Sequence, residues 1–432
     1  MKSIFKKLIA TIIKYEAILV IKKYKPKIIA VTGSVGKTST KDAIFAVMSS
    51  SFFVRKSEKS FNSEIGIPLT ILGCPNGWLN PFLWFKNIIV GLDLIFFKYS
   101  YPEWLVLEVG ADRPGDIKKI SKWLKPSIVV LTSFPKVPVH IEFFKDRESV
   151  IREKKYLVEA LKHDGILVVN GDDADSMKIK EGSKNFSIIY GTDKMSDLAA
   201  SEPQNYYGED GHIEGITFKV EYGDNVVPII IKGSLGAKSI YSPLAAIAVG
   251  LTQKINIVKS AEALLHTELS KGRMRIIDGI KHTTIIDDTY NSSPIALASA
   301  LYSLKHLNLV KEGKKIAVLG DMMELGRHSV DEHYKAGKIA AEVCGVLITV
   351  GIRARKMVEG ALDGLMDEKN IFQFDNSIEA GKFLQGIINE DDIIFIKGSQ
   401  SMRMEKVVEE IMAEPEKARE LLVRQEEEWL NR

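Results

Sequence analysis

A lysine and a threonine placed directly after a glycine, as in Gly36-Lys37-Thr38, have an evident chemical use and no packing purpose. They close the run Thr32-Gly33-Ser34-Val35-Gly36-Lys37-Thr38-Ser39, which follows an apolar stretch from Ile28 and reads as strand, turn and helix start. Gly33 and Gly36 allow the backbone to approach a ligand with no Cβ in the way. Consecutive N–H groups and the helix N-terminus can then point at one anion. Lys37 supplies a point charge for the β- and γ-phosphates of a nucleotide, and Thr38 a hydroxyl for Mg2+. The loop is the short form of the phosphate-binding pattern, because the first glycine of the longer form would fall at Val31.

Three further groups have types and positions that suit the same chemistry. The run Leu105-Val106-Leu107 ends in Glu108, and ligands of α/β sheets bind beyond the carboxyl ends of strands. Glu108 is therefore a candidate Mg2+ ligand, the alternative being a carboxylate that caps the next helix. His140 follows the next strand and would lie at the same sheet edge, although a lone histidine is more often structural. Lys154, set among Arg152, Glu153, Lys155 and Tyr156, reads by itself as solvated helix surface.

The elements that must position these groups alternate apolar β-rich runs with helical patterns. Trp104–Val109, Ile128–Thr132 and Ile166–Asn170 read as strands, with helical patterns at 117–124 and 151–161 between them. From Leu198 to Gly233 short strands and turn residues suggest an antiparallel extension. The alternation restarts near Gly272, with strands expected at 283–287, 315–320, 346–350 and 392–397, helices at 294–307 and 332–343, and a charged helix over 405–432. The expected fold is α/β: a central phosphate-loop ATPase domain with a mostly parallel sheet (28–273), then a smaller Rossmann-like α/β domain (274–432).

Composition narrows the function. At 432 residues and 45% hydrophobic content the chain suits more than one buried core. Its 59 basic and 56 acidic residues are too evenly balanced to imply a nucleic-acid partner. Two cysteines, Cys74 and Cys344, support neither a disulfide framework nor a thiolate metal site and suit a reducing cytoplasm. Residues 1–27 form an amphipathic, lysine-rich helical pattern, and a second apolar segment at 81–97 is interrupted by Lys86 and Asp93. Neither has a run long enough to span a bilayer. Two readings stand open for both, namely packing on the core and attachment to an anionic membrane at the inner face.

Nine stretches in order carry a family resemblance. They are 32–38, 61–70, 107–111, 140–142, 170–173, 272–274, 287–294, 318–326 with His333, and 397–405. The chain resembles the Mur ligase superfamily, most closely the branch of UDP-N-acetylmuramoyl-tripeptide:D-alanyl-D-alanine ligases. The resemblance implies an ATP- and Mg2+-dependent amide-bond ligase of peptidoglycan-precursor synthesis, joining a carrier-linked peptide carboxylate to a D-alanyl-D-alanine-type dipeptide. It places Gly33, Ser34, Gly36, Lys37, Thr38 and Ser39 on the phosphates. It makes Thr38, Glu108, His140 and Lys154 metal-site groups, with Lys154 at the position of a carbamylated lysine. It puts Arg273, Asp287 and Asn291 on the nucleotide, Asn62 and Ser63 toward the sugar-peptide, and Met323, Glu324, Ser399 and Arg403 toward the incoming amine. In the family a uridine-binding domain precedes the phosphate loop, whereas here about 27 residues do. Lys238 and Ser242 stand where a histidine and an asparagine are expected, and Gln400 replaces an arginine. Two alternatives remain open at this point: a related ligase for a different, lipid-linked carrier, and a phosphate-loop ATPase switch that makes no bond.

Overall fold

The computed structural model describes residues 2–58, 61–78, 80–134, 143–267, 270–426 and 429. The chain divides into two units: 1–201 with 219–229 and 240–268, and 202–218 with 230–239 and 269–432.

The first unit opens with helix α1 (Lys2–Tyr24) and strand β1 (Lys27–Thr32), followed by α2 (Lys37–Ser49), β2 (Val54–Lys56), α3 (Gly66–Leu72) and α4 (Pro81–Phe96). It continues through β3 (Trp104–Glu108), α5 (Asp116–Ser121), β4 (Ile128–Leu131), α6 (Arg147–Glu159), β5 (Ile166–Asn170), α7 (Ala174–Glu181) and β6 (Phe186–Gly191). Strands β7 (Leu198–Tyr207), β8 (Ile213–Tyr222) and β9 (Asn225–Lys232) follow, divided between the two units, and then α8 (Tyr241–Thr252) and α9 (Ile257–Leu265). Among the described residues the strand order is β2-β3-β1-β4-β5-β6-β7-β8-β9. The members from β2 to β6 are all parallel, and β6 pairs with the start of β7 in the same sense. A parallel sheet is covered on both faces, which is why β1, β3 and β4 read as continuous apolar runs rather than alternating ones.

This order puts β1 between β3 and β4, with Val31 opposite both Glu108 and Val130. The phosphate loop and the strand-end carboxylate therefore leave the same sheet edge side by side.

Helix α1 joins this core. Ile9, Ile13, Ala17 and Val20 are buried in one cluster with Ile28, Ile67, Leu69 and Trp84. Lys23 extends to the carbonyls of Leu94, Ile95 and Phe97, where cations suit the carboxyl end of α4. Tyr24 donates to the Leu94 and Phe97 carbonyls at 3.1 Å. Of the two readings of residues 1–27, core packing holds for this buried face.

The contact between α1 and α4 contains a buried acid. Glu16 lies against Gly91, its two carboxyl oxygens have no hydrogen-bond partner, and burial pushes its pKa up from 4.5 to about 7. A folded-state pKa above the unfolded value means that the native protein holds the proton more tightly. Stability from this group is full below about pH 4.5 and falls as pH rises to about 7. Glu16→Met should remove that slope. Urea-unfolding midpoints at pH 5 and pH 8 will show a smaller pH difference in the variant and a gain in stability at pH 8. Equal slopes in the two proteins would contradict this.

The second unit contains β10 (Arg275–Asp278), β11 (Thr284–Asp288), α10 (Pro294–Lys305), β12 (Lys315–Gly320), α11 (Ser329–Val343), β13 (Val346–Val350) and α12 (Arg355–Asp363). It ends with β14 (Ile371–Phe374), α13 (Ser377–Ile387), β15 (Ile393–Lys397), α14 (Glu405–Ile411) and α15 (Ala418–Leu421). Its strand order is β10-β11-β15-β12-β13-β14, parallel except for the edge strand β10. Apolar clusters cover both faces, one around Leu301, Leu319 and Phe395, the other around Ile394, Leu384 and Val407. The expected charged helix over 405–432 is corrected: α14 stops at Ile411. Pro415, which lacks an N–H and clashes with the preceding turn, starts a separate short helical turn.

Candidate active site

At the end of β1 the loop turns on two glycines. Gly33 has φ 140°, and a Cβ there would lie 2.0 Å from the Thr132 hydroxyl. Gly36 has φ 83° and stands at the N-terminus of α2. The first turn of a helix directs its N–H groups outward, so Gly36, Lys37, Thr38 and Ser39 form the anion-facing end. Ser34 and Val35 are held through their N–H groups by the Ser133 carbonyl, at 2.9 and 3.3 Å. Lys37 Nζ lies 3.3 Å from the Ser34 carbonyl, curled back over the loop.

Glu108 is the centre of this cluster. It is 2% exposed, and its two oxygens are approached from different segments. Thr38 Oγ1 donates to Oε2 at 2.7 Å, and Asn62 Nδ2 donates to Oε1 at 3.2 Å. Asn62 in turn fits over Gly110, where any Cβ would meet its side chain at 2.8 Å. The helix-capping alternative for Glu108 is thereby removed, since its partners lie in the phosphate loop and in the segment before α3. Ser63, its neighbour, steadies the start of α3, where its hydroxyl accepts from Gly66 N at 3.4 Å and its carbonyl from Ile67 N.

Lys154 is not solvated surface. It is 4% exposed on the inner face of α6, beside Glu153, whose carboxylate accepts from the N–H groups of Gly115 and Lys118 at 2.9 and 3.0 Å. Burial, reinforced by the Lys37 cation and opposed by Glu153, Asp112 and Glu108, pulls its pKa from 10.5 down to about 7. An amine so placed is substantially neutral at physiological pH and hence nucleophilic. His140 lies outside the described residues.

Sequence reasoning missed several members of this cluster. Asp112 and Glu153 join it electrostatically, and Lys41 is buried beneath the loop with Nζ 2.7 Å from the Ser57 carbonyl and 3.2 Å from Asp42. An acid two residues beyond Gly110 could have been noticed. Lys41 carried no signal, because its burial depends on β2 folding beside α2. Ser242 does meet the loop helix, with its hydroxyl 3.1 Å from that of Thr40. Asp172, in the 170–173 stretch, accepts from the Tyr241 hydroxyl at 2.9 Å.

A Mg2+ ion takes one or two hard oxygen ligands from protein and fills its shell with water and phosphate oxygens. The Thr38 hydroxyl and the Glu108 carboxylate, held together at a phosphate-loop helix, are a donor set of that kind.

In the second unit a separate cluster gathers at the end of β11. Asp287 is fully buried, accepts from Thr289 N and Oγ1 at 3.1 and 2.6 Å, and has its other oxygen unpartnered. Burial pushes its pKa up to about 6. Asp288 pairs with Lys397 at 2.6 Å, and Lys397 also donates to the Asn291 carbonyl at 2.8 Å. The Arg273 guanidinium stacks on Tyr290, 4.1 Å from the ring centre. Arg273, through Tyr290, and Asn291, through Lys397, thus lie around the end of β11 with Asp287.

The substrate-side expectations divide. Met323 N donates to Ser399 Oγ at 2.8 Å, and Arg353 Nη1 reaches Met323 Sδ at 3.1 Å and Asp321 at 3.5 Å. Glu324, exposed at φ 62°, leaves the same loop. Arg403 is drawn elsewhere: it pairs with Glu405 at 2.6 Å, donates to the Trp429 carbonyl at 2.7 Å and stacks over that indole. Below the loop, His333 is neutral. Its Nε2 accepts from Met322 N at 2.9 Å, so Nδ1 carries the proton and donates to the Ser329 carbonyl at 2.6 Å, while burial lowers its pKa. Arg353 carries no motif that marks it in the sequence, whereas Asp321 falls within the 318–326 stretch but has no signal of its own there; both follow parallel strands of this sheet.

A glycine turn of phosphate-loop type next to a buried acid and a near-neutral lysine, in a chain with a second doubly wound unit, suits a carboxylate-activating ligase. Residues 86–250 match the Mur ligase middle domain and residues 272–400 the Mur ligase glutamate ligase domain, and the chain belongs to the Mur ligases. Within that superfamily the similarity runs to the enzymes called MurF. The UDP-N-acetylmuramoyl-tripeptide–D-alanyl-D-alanine ligase of Bacillus subtilis is 27% identical over 395 residues, which is 90% of this chain and 76% of that protein. The enzyme of the same name from Rickettsia prowazekii is 27% identical over 389 residues, 89% and 78% of the two chains. The structure of MurF ligase from Thermotoga maritima in complex with ADP superposes with TM-score 0.74 at 25% identity, covering 95% of this chain and 84% of that one. A MurF structure from Acinetobacter baumannii, at 23% identity and TM-score 0.74 over 92% and 79% of the chains, shares the fold.

Proposed function

We propose that the protein is an ATP-dependent ligase that activates the terminal carboxylate of a muramoyl-type peptide and joins it to D-alanyl-D-alanine. The observation that carries this reading is the Glu108 carboxylate, buried at the carboxyl end of β3 and gripped by Thr38 of the phosphate loop. A carboxylate is a poor electrophile at neutral pH. Attack of its oxygen on the γ-phosphorus of ATP releases ADP and gives an acyl phosphate, from which an amine can expel phosphate with loss of a proton.

Each residue has a role in this scheme. The N–H groups at the start of α2 bind and orient the phosphates, and Lys37 offsets charge on the phosphoryl group as it transfers. Thr38 and Glu108 would hold Mg2+, which when bound neutralises phosphate charge. Lys154, once carbamylated, would add a second anionic oxygen donor to them. Asn62 donates to Glu108 and is assigned, from the resemblance, to the sugar-peptide side. In the second unit Arg273, Asp287 and Asn291 are assigned to the nucleotide, and the 321–324 loop with Ser399 and Arg353 to the amino component. The carrier and the dipeptide are the small-molecule partners. Buried free thiols at Cys74 and Cys344 suit the reducing cytoplasm where ATP is present.

Phosphate release from ATP tests the reading. We expect turnover with UDP-muramoyl tripeptide and D-alanyl-D-alanine together to exceed that with either alone by at least ten-fold, with the joined pentapeptide product seen by mass spectrometry. Equal phosphate release with and without the dipeptide, and no product, would mark the protein as an ATPase that makes no bond.

A further inference from the structure

Helix α4 buries only one side. Trp84, Asn87 and Gly91 face inward, while Phe82, Phe85, Ile89, Leu92 and Phe96 recur at intervals of three and four residues along the opposite side. That spacing keeps them on one stripe of a helix, about 21 Å long. All five are exposed, Phe82 by 83%, Phe85 by 64% and Phe96 by 76%. Phe97, Tyr99 and Trp78 extend the apolar surface beyond the helix ends. Alongside, α1 turns Leu8, Tyr15 and Leu19 outward from the face it buries. Soluble surfaces carry isolated apolar residues, whereas a contiguous aromatic stripe of this size marks a contact site.

The charge around the stripe says what it contacts. Residues 2–27 and 80–99 carry ten lysines and two acids, Glu16 and Asp93. Glu16 is buried, and Asp93 is taken up by the Tyr99 hydroxyl at 2.6 Å. Lys22, Lys25, Lys27, Lys86 and Lys98 are exposed. Among the described residues no helix is long and apolar enough to cross a membrane. We propose that the outer face of α4, flanked by α1, is a docking surface for an anionic lipid bilayer. The aromatic side chains enter the headgroup boundary with the helix lying in its plane, and the lysines meet the lipid phosphates. A second copy of the chain fits this face less well, because a two-fold contact would set the same surface, with its excess of lysines over acids, against itself. The role of α1 differs from a detachable anchor, since its inner face is part of the core.

Co-sedimentation of the full chain with vesicles of phosphatidylcholine, with and without 30% phosphatidylglycerol, tests the proposal. Binding is expected with the anionic vesicles, falling at least ten-fold between 50 and 500 mM NaCl. The double variant Phe82→Glu/Phe96→Glu should reduce it at least ten-fold and leave the melting temperature and ligase turnover in solution unchanged, because both side chains already face solvent. Wild-type protein remaining in the supernatant with anionic vesicles at 50 mM NaCl would overturn the proposal. So would equal sedimentation of the double variant. A concentration-dependent dimer that dissociates in the variant, without vesicle binding, would assign the face to a second copy instead.

Discussion

Lys37→Ala will reduce acceptor-dependent ATP turnover by on the order of 100-fold or more while leaving the fold intact. The ammonium is the charge that the phosphate loop itself contributes where the γ-phosphoryl group transfers, and alanine leaves that developing charge to be met by solvent. The fold is expected to survive because Lys37 is half-exposed at the first turn of α2 and its bond to the Ser34 carbonyl is long, at 3.3 Å. No apolar cavity opens. Two measurements are needed: phosphate release with both substrates present, and a thermal melt of the free protein. A variant that melts with the wild type but turns over within a few-fold of it would remove Lys37 from the reaction. A variant that melts well below it would place the side chain in the structure of the loop.

Much of this site is legible in the amino-acid sequence, for identifiable reasons. Strands of a parallel sheet are apolar on both faces, so Ile28–Thr32, Leu105–Glu108 and Lys315–Gly320 stand out as short continuous runs. The groups at their carboxyl ends are then candidates by position, which is what marks Lys37, Thr38 and Glu108. Edge strands are harder to see. β10 has four residues, two of them charged, and β14 is only partly buried, so neither shows as an apolar run. The charged C-terminal segment reads as one helix because its polarity conceals the stop that Pro415 imposes. Arg403 is assigned by its place in a motif, but besides its near neighbour Glu405 it meets Trp429, whose position is set by the path of the chain after α14. Such long-range choices leave no local trace.

Lys154 shows the same limit most sharply, and it carries the second large effect. Arg152 to Tyr156 has the composition of a helix surface, and only the packing of α6 against α5 turns Glu153 and Lys154 inward. With its pKa pulled down to about 7 by burial, the amine is largely neutral at pH 8. A neutral amine adds to carbon dioxide, forming an N–C bond and releasing one proton, and the product is a carbamate anion. That change would replace an amine, which in its protonated form repels Mg2+ and adds to the charge of Lys37, with an anionic oxygen donor near Glu108. Lys154→Ala should therefore lose on the order of 100-fold in turnover and recover part of it in millimolar acetate or formate, whose carboxylate can occupy the vacated space. Wild-type enzyme stripped of bicarbonate should lose activity and regain it on adding bicarbonate. The regain should slow as pH falls through about 7, because the protonated amine does not react. Carbon-13 bicarbonate provides a second readout, a carbamate resonance in the wild type that is missing in the alanine variant. Full activity in Lys154→Ala, or a bicarbonate response that persists in it, would return the lysine to a packing role on the inner face of α6.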